Sequence, residues 1–181
     1  MVDVRRAKAR DAGALAKVAA ETFPLACPPG SSPDDIAAFI ADNLTEERFV
    51  EYLADPARVL VVAESETDRS QFIGYTMLVS GEPSDADVSS AIRHRPSIEL
   101  SKVYVVKRHH GGGVARALVE STIAAAIETD AQGIWLGVND QNSRAVRFYE
   151  KAGFERVGRK SFRLGATIEH DYVMERPLRR S

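Results

Sequence analysis

The chain has 181 residues, with 24 Lys and Arg against 26 Asp and Glu for a formal charge of −2, and it is 44% hydrophobic and 28% charged. At about 150 residues per domain that is the length of one domain, residues 1–181, with its own core, and the composition excludes disorder. A near-neutral chain without a Lys-Arg cluster lacks the basic excess that phosphate binding needs, so nucleic acid is not an expected partner.

In chain order, residues 2–6 read as a short strand, and residues 11–23 as a helix with Ala12, Leu15, Val18 and Ala19 at helical spacing. Pro24, Pro28, Pro29, Gly30 and Pro33 are expected to break it. Residues 34–44 and 46–54 follow as two short amphipathic helices, through Ile36, Phe39, Ile40 and Leu44 and then Phe49, Val50 and Leu53. The β-branched run 58–63 and the run 71–79, separated by a polar stretch, read as a hairpin. Residues 81–96 are polar with two prolines and read as a loop or partly disordered connection before a strand over 97–106. A glycine cluster then opens a helix to about residue 129. Residues 133–139 read as a strand, 142–152 as a helix, and 154–162 with 167–174 as a closing hairpin. Apolar runs such as 59–63 and 123–127 fall far short of the roughly 18 residues of a membrane span, and residues 1–6 hold no signal-like apolar stretch, so no membrane is expected. The lone Cys27 excludes an internal disulfide and a multi-cysteine metal site, which fits a cytoplasmic setting; an incidental thiol outweighs a nucleophile there.

The segment Val103-Tyr104-Val105-Val106-Lys107-Arg108-His109-His110-Gly111-Gly112-Gly113-Val114-Ala115 is a strand feeding a glycine loop that opens a helix. Glycines let backbone approach a ligand, and the unpaired amides of a first helical turn carry partial positive charge, which suits a phosphate or pyrophosphate. A tight turn that binds nothing would give the same cluster. No Gly-Lys-Ser/Thr follows, which removes a P-loop, and the loop lies past mid-chain rather than after a first strand, which removes a dinucleotide fold. His109 reads as solvent-facing, badly placed to deprotonate an amine.

A second constellation, Asn142-Ser143-Arg144-Ala145-Val146-Arg147-Phe148-Tyr149-Glu150-Lys151-Ala152-Gly153-Phe154, follows the strand at 134–138. Together the two resemble the GNAT superfamily of N-acetyltransferases. The family's Gln/Arg-x-x-Gly-x-Gly/Ala loop falls on His110, Gly113 and Ala115, and its Asn-x-x-Ala-x-x-Phe-Tyr-x-x-x-Gly-Phe helix on Asn142, Ala145, Phe148, Tyr149, Gly153 and Phe154. The resemblance implies an α/β fold: a twisted mixed sheet of about seven strands, splayed between the fourth and fifth to admit acetyl-CoA, and flanked by about four helices. It implies that Val103, Tyr104 and Val105 offer backbone groups to pantetheine. The amides of Gly111, Gly112, Gly113, Val114 and Ala115, with His110 at the Gln/Arg position, would hold the pyrophosphate. Asn142 would bind pantetheine, and Tyr149 would protonate the departing thiolate. Positions 142, 145 and 149 share a helix face, and Asn142 and Tyr149 stand about 10 Å apart along it, a span that suits an extended arm. No metal is implied.

An amine with a pKa near 10.4 is about three units from being a free nucleophile at neutral pH, a cost of roughly 4 to 5 kcal/mol, so a base should lie nearby. Glu99 is the candidate, and strict alternation would put it on one strand face with Ser101, Val103 and Val105. A solvated strand glutamate is the plainer alternative. The finer resemblance is to PaiA-type polyamine acetyltransferases, through residues 99–105 and 134–138, Ser161, Phe162, Gly165, Asp171 and Met174. A cleft edged by Asp34, Asp35, Asp42, Glu46 and Glu47 would suit such cations; a solvated helix face would show the same residues. The expectation is an N-acetyltransferase using acetyl-CoA on a small-molecule primary amine, a polyamine favoured. The alternatives are another small amine, an amino acid, a protein amine, or a non-catalytic acyl-CoA sensor. A homodimer is left open.

Overall fold

In the computed structural model, which describes residues 2–179, seven strands form one sheet in the order β1-β2-β3-β4-β5-β7-β6. The strands are β1 (Asp3–Arg6), β2 (Arg58–Glu64), β3 (Phe72–Ser80), β4 (Ser97–Val105), β5 (Gly133–Asn139), β6 (Glu155–Leu164) and β7 (Thr167–Pro177). All neighbours are antiparallel except β4 and β5. Met1, Arg180 and Ser181 lie outside the described residues. The helices are α1 (Ala12–Ala26), α2 (Pro33–Asn43), α3 (Glu46–Ala54), α4 (Ala86–Ala91), α5 (Val114–Ile127) and α6 (Ser143–Lys151), six where the resemblance implied about four. Among the described residues no helix is long and apolar enough to cross a membrane.

Sequence chemistry sets the helix starts. Ser32 caps α2 by accepting from the Asp35 N–H, with Pro33 in the first turn, and Thr45 caps α3 by accepting from the Arg48 N–H at 3.2 Å. Helix α1 runs through Pro24 to Ala26, three residues beyond the expected stop. Pro24 sits in the last turn, which closes with a Cys27 N–H bond to the Pro24 carbonyl at 3.3 Å, and Phe23 is held there by stacking on Phe39 with centroids 4.4 Å apart. Pro24 has no N–H to offer the Ala20 carbonyl, so the helical ladder is interrupted within that last turn.

The two sheet faces carry separate cores. On one, Leu100, Val119, Ile123, Leu136 and Met174 pack around α5; on the other, Leu15, Phe23, Phe49, Tyr75 and Met77 pack under α1, α2 and α3. Buried Thr76 and Thr122 share a hydrogen bond at 2.6 Å, which ties β3 to α5 and marks the α5 face of the sheet.

Residues 81–96 are ordered by specific contacts rather than left as loop. Asp85 caps α4 through the Asp87 and Val88 amides, and buried Val88 and Ile92 pack on Trp135 and Val173. Glu175 of β7, only 3% exposed, accepts from the Arg93 N–H at 2.9 Å and 3.0 Å and from the His94 N–H at 3.0 Å. A carboxylate 80 residues downstream in sequence leaves no local pattern, which is why composition alone read this segment as irregular. Glu175→Ala should lose about 1.5 to 3 kcal/mol in urea denaturation, because those amides lose a charged acceptor, while Glu175→Gln should keep part of it.

Candidate functional site

The parallel strands β4 and β5 pair only at Ser97 with Gly133, Ile98 with Ile134 and Glu99 with Trp135. Beyond Glu99 they separate, and a cavity of about 400 Å³ opens between residues 100–104 of β4 and 136–139 of β5. The splay lies where the resemblance implied, and it leaves one backbone edge of β4 without a neighbouring strand. Since buried backbone polar groups need partners, an edge of this kind is built to receive an extended chain.

Register along β4 corrects the expected alternation. Leu100 stands opposite Leu78 and Lys102 opposite Met77, so Ser101 is an extra residue, a β-bulge. The bulge shifts every later side chain to the other face. Val103, opposite Thr76, and Val105, opposite Gly74, turn toward α5, whereas Glu99, Lys102 and Tyr104 share the opposite face with Val79, Met77 and Tyr75. Glu99 therefore does not share a face with Val103 and Val105. Nothing in the residue pattern marks the bulge except a lysine within an apolar strand.

The cavity wall on that face is charged. Burial pushes the Glu99 carboxyl above its usual range, and Lys160, Lys102 and Arg58 pull it partly back. Burial brings the Lys102 ammonium down to about 8, with Glu99 opposing and Arg58 assisting. Lys160 pairs with Asp171 at 3.2 Å across β6 and β7, and the Asp171 carboxyl is raised, first by burial. Gly137 leaves room for the end of the Lys160 side chain, whose Cε would have to move aside for a Cβ there. Glu169 adds a third carboxylate, and Phe23, Phe39 and Phe162 supply an apolar wall. Sequence reading had not assigned a site role to Lys102, Lys160 or Glu169. Their placement depends on the bulge and on the pairing of distant strands.

Conversely, Asp34, Asp35, Asp42, Glu46 and Glu47 do not line this cavity. They lie on α2 and α3, and the Asp35 carboxylate abuts Gly165 in the β6–β7 turn. A second cavity, of about 280 Å³, meets the first at Glu99 and Lys160 and carries Glu82 and Asp85.

At the far end of β4 the glycine loop adopts the shape its sequence suggested. Gly111 and Gly113 take φ of +82° and +84°, and Gly113 caps α5, whose ladder begins with Ala117 N–H to the Gly113 carbonyl. The amides of Gly113, Val114, Ala115 and Arg116 precede that ladder and meet the requirements of an anion cradle. The His110 Nε2–H donates to the Val105 carbonyl at 2.7 Å, so that donor is committed to the loop.

Helix α6 presents Asn142, Ala145 and Tyr149 to the cavity. Asn142 Oδ1 accepts from the Ala145 N–H at 3.1 Å, capping the helix, while its Nδ2 has no partner among the described residues. Tyr149 packs edge-on against Phe148 and Phe154, and burial raises its hydroxyl well above the usual phenol range, keeping it protonated at neutral pH. Among the described residues no group of three His, Cys, Asp or Glu could hold a metal. An open strand edge, free helix amides, an unpartnered amide donor and a protonated phenol together fit a thioester carried on a long phosphorylated arm.

Comparison with known proteins agrees. Residues 18–154 match the model of the Acetyltransferase (GNAT) family. The chain is 46% identical over 168 residues to an uncharacterised N-acetyltransferase of Mycobacterium tuberculosis, covering 93% of this chain and 98% of the relative. It is 35% identical over 104 residues to the peptidyl-lysine N-acetyltransferase YjaB of Escherichia coli, covering 58% of this chain and 54% of that one. Among solved structures, the PaiA N-acetyltransferase of Thermoplasma acidophilum in complex with coenzyme A aligns with a TM-score of 0.74 at 19% identity, over 98% of this chain and 99% of that one. That likeness is one of fold.

The Asn142 cap separates two effects of substitution. Asn142→Ala should lower stability by about 1 kcal/mol, read as a drop in melting temperature, whereas Asn142→Asp keeps a capping oxygen and should melt close to the parent.

Proposed function

We propose, since this chain belongs to the acetyltransferase (GNAT) family and is an acetyl-CoA-dependent N-acetyltransferase, that its acceptor is a polyamine-type primary amine bound on the Glu99 face of the sheet. The observation that carries this reading is the charge of the wall. Glu99, Glu169 and Asp171 face the cavity against Lys102 and Lys160, Lys160 is already paired with Asp171, and the adjoining cavity adds Glu82 and Asp85. A linear cation whose reacting end lies near Glu99 would find further carboxylates along its length.

In this reading acetyl-CoA is the co-substrate and supplies the activated acetyl group. The backbone of Val103, Tyr104 and Val105 positions the pantetheine arm along the open edge of β4, and Asn142 Nδ2 donates to it. The amides of Gly111, Gly112, Gly113, Val114 and Ala115 hold the pyrophosphate, with His110 bracing the loop. Glu99 accepts the proton that the ammonium must lose, directly or through a water, and its raised carboxyl is a better match for that proton than a solvated glutamate. Tyr149, a phenol and so protonated at neutral pH, donates to the leaving thiolate. A free thiol ionises near 8.5, so the leaving group is tolerable unaided and the phenol's help has an upper bound.

The acceptor is tested by a panel of spermidine, spermine, free amino acids, aminoglycosides and lysine peptides, followed by thiol release. Polyamines should turn over several-fold faster than lysine or peptides. A faster peptide or amino acid would replace the polyamine assignment and leave the acetyltransferase intact. Tyr149→Phe should lower kcat by up to about 10² to 10⁴-fold with little change in the KM for acetyl-CoA, and full kcat would make Tyr149 a packing residue. Glu99→Gln should lower turnover and move the pH profile to higher pH, with acetyl-CoA affinity retained. Asn142→Asp, stable by its cap, should weaken acetyl-CoA binding.

A further inference from the structure

Lys102 lines the cavity beside Glu99, and the reaction as described leaves it without a task. The bulge at Ser101 turns it onto the Glu99 face and into the cavity, just past the point where β4 leaves β5. Its ammonium forms no ion pair within 4 Å among the described residues, unlike Lys160, which is held by Asp171. Lys102 is half-buried in the cavity wall, and a lysine partly withdrawn from water without a carboxylate partner gives up its proton more readily than a solvated one. The surrounding charges also act on that proton. Glu99, on its own strand, favours the ammonium, while Arg58 of β2 opposes it. Lys160, Asp171 and Glu169 line the same cavity from β6 and β7, with the neutral phenols of Tyr104 and Tyr149 and the Cys27 thiol. Burial raises that thiol's pKa, so it holds its proton and offers no anion. The acceptor that enters is itself a cation. A second fixed cation on the wall would repel it, whereas a neutral amine would accept a hydrogen bond from it.

We propose that Lys102 is a catalytic residue that works as a free amine, taking the proton from the acceptor ammonium before attack and passing it toward Glu99 and solvent. The balance closes without a further reactant. One N–H bond of the acceptor ammonium breaks and one forms at Lys102 Nζ. The freed lone pair forms the C–N bond to the thioester carbonyl as the C–S bond breaks, and the thiolate is protonated by Tyr149. The nitrogen's second proton leaves by the same route once the C–N bond has formed; of the two protons released, one restores the Tyr149 phenol and one reaches solvent per turnover. An amine brought down to about 8 can accept an ammonium proton far more readily than a carboxylate, even a raised one, and can still release it near neutral pH. The proposal rests on the acceptor being an amine and not on its being a polyamine.

The decisive variant is Lys102→Arg, which keeps a cation beside Glu99 but cannot give up its proton. With whichever amine of the panel turns over fastest, kcat/KM for the acceptor near pH 7.5 should fall by about a hundredfold, and its rising limb should move at least about one unit to higher pH. The KM for acetyl-CoA should stay within about twofold, since binding and chemistry separate in that comparison. Lys102→Met, which removes both charge and base, should fall similarly. Either variant, folded and with the parent's pH profile, overturns the proposal and leaves Glu99 as the sole base. Should neither fold, carbon-13 labelling of the lysine ε-carbons in the parent protein decides it. The Lys102 signal should titrate near 8 and apart from the exposed lysines, and titration together with them overturns the assignment.

Discussion

The molecule is organised around a deficit in backbone hydrogen bonding. Two parallel strands in the middle of a seven-stranded sheet pair at three positions and then part. A central strand usually spends both its edges on neighbours; β4 spends one on β3 and leaves much of the other open. Everything else at the site is arranged around that opening. Helix α5 starts where β4 has ended and a glycine loop has turned, so its free amides lie at one end of the gap. Helix α6 follows β5 and lines the gap with Asn142 and Tyr149. In the proposed reading the folded sheet is a docking track whose two ends carry different chemistry, anion capture at the loop and proton handling near Glu99.

A single inserted residue divides the labour between donor and acceptor. Without Ser101 as a bulge, strict alternation would send Lys102 into the α5 core and Val103 into the cavity. With it, valines pack on α5, and Glu99, Lys102 and Tyr104 stand together where an amine would enter. Backbone on β4 can then serve one substrate while side chains of the same strand serve the other. The charges on that side form an unequal set: Lys160 is paired with Asp171, whereas Lys102 has no ion pair within 4 Å among the described residues.

Much of this was legible in the sequence, and the rest was not for identifiable reasons. The glycine cluster at 111–113 marked the loop that opens α5, and the β5 boundaries followed from Gly133 and the apolar run after it. The Asn142–Phe154 pattern gave α6. These are local signals, each held within a dozen residues. The bulge is not local, because it exists only in the register between β3 and β4. Nor is the ordering of residues 81–96, which depends on Glu175 reaching back from β7. The acidic residues of α2 and α3 misled for the opposite reason. Their spacing was visible, but which face of α2 meets the cavity was not: Phe39 lines it and the carboxylates do not. Lys102 and Lys160 needed both kinds of information at once.

The open edge of β4 also bears on how long the protein lasts. Most sheets are weakest at their rims, where the outer strands fray, and firmest at the centre; this one carries its unpaired backbone in the middle, between β3 on one side and a gap on the other. An extended arm bound there would act as a substitute strand, and a ligand at about a hundred times its dissociation constant would add about 2.7 kcal/mol to the folded state. Cleavage by proteases that sample local opening would slow accordingly. The supply of acetyl-CoA would then govern the amount of this protein present as well as the rate at which each molecule works.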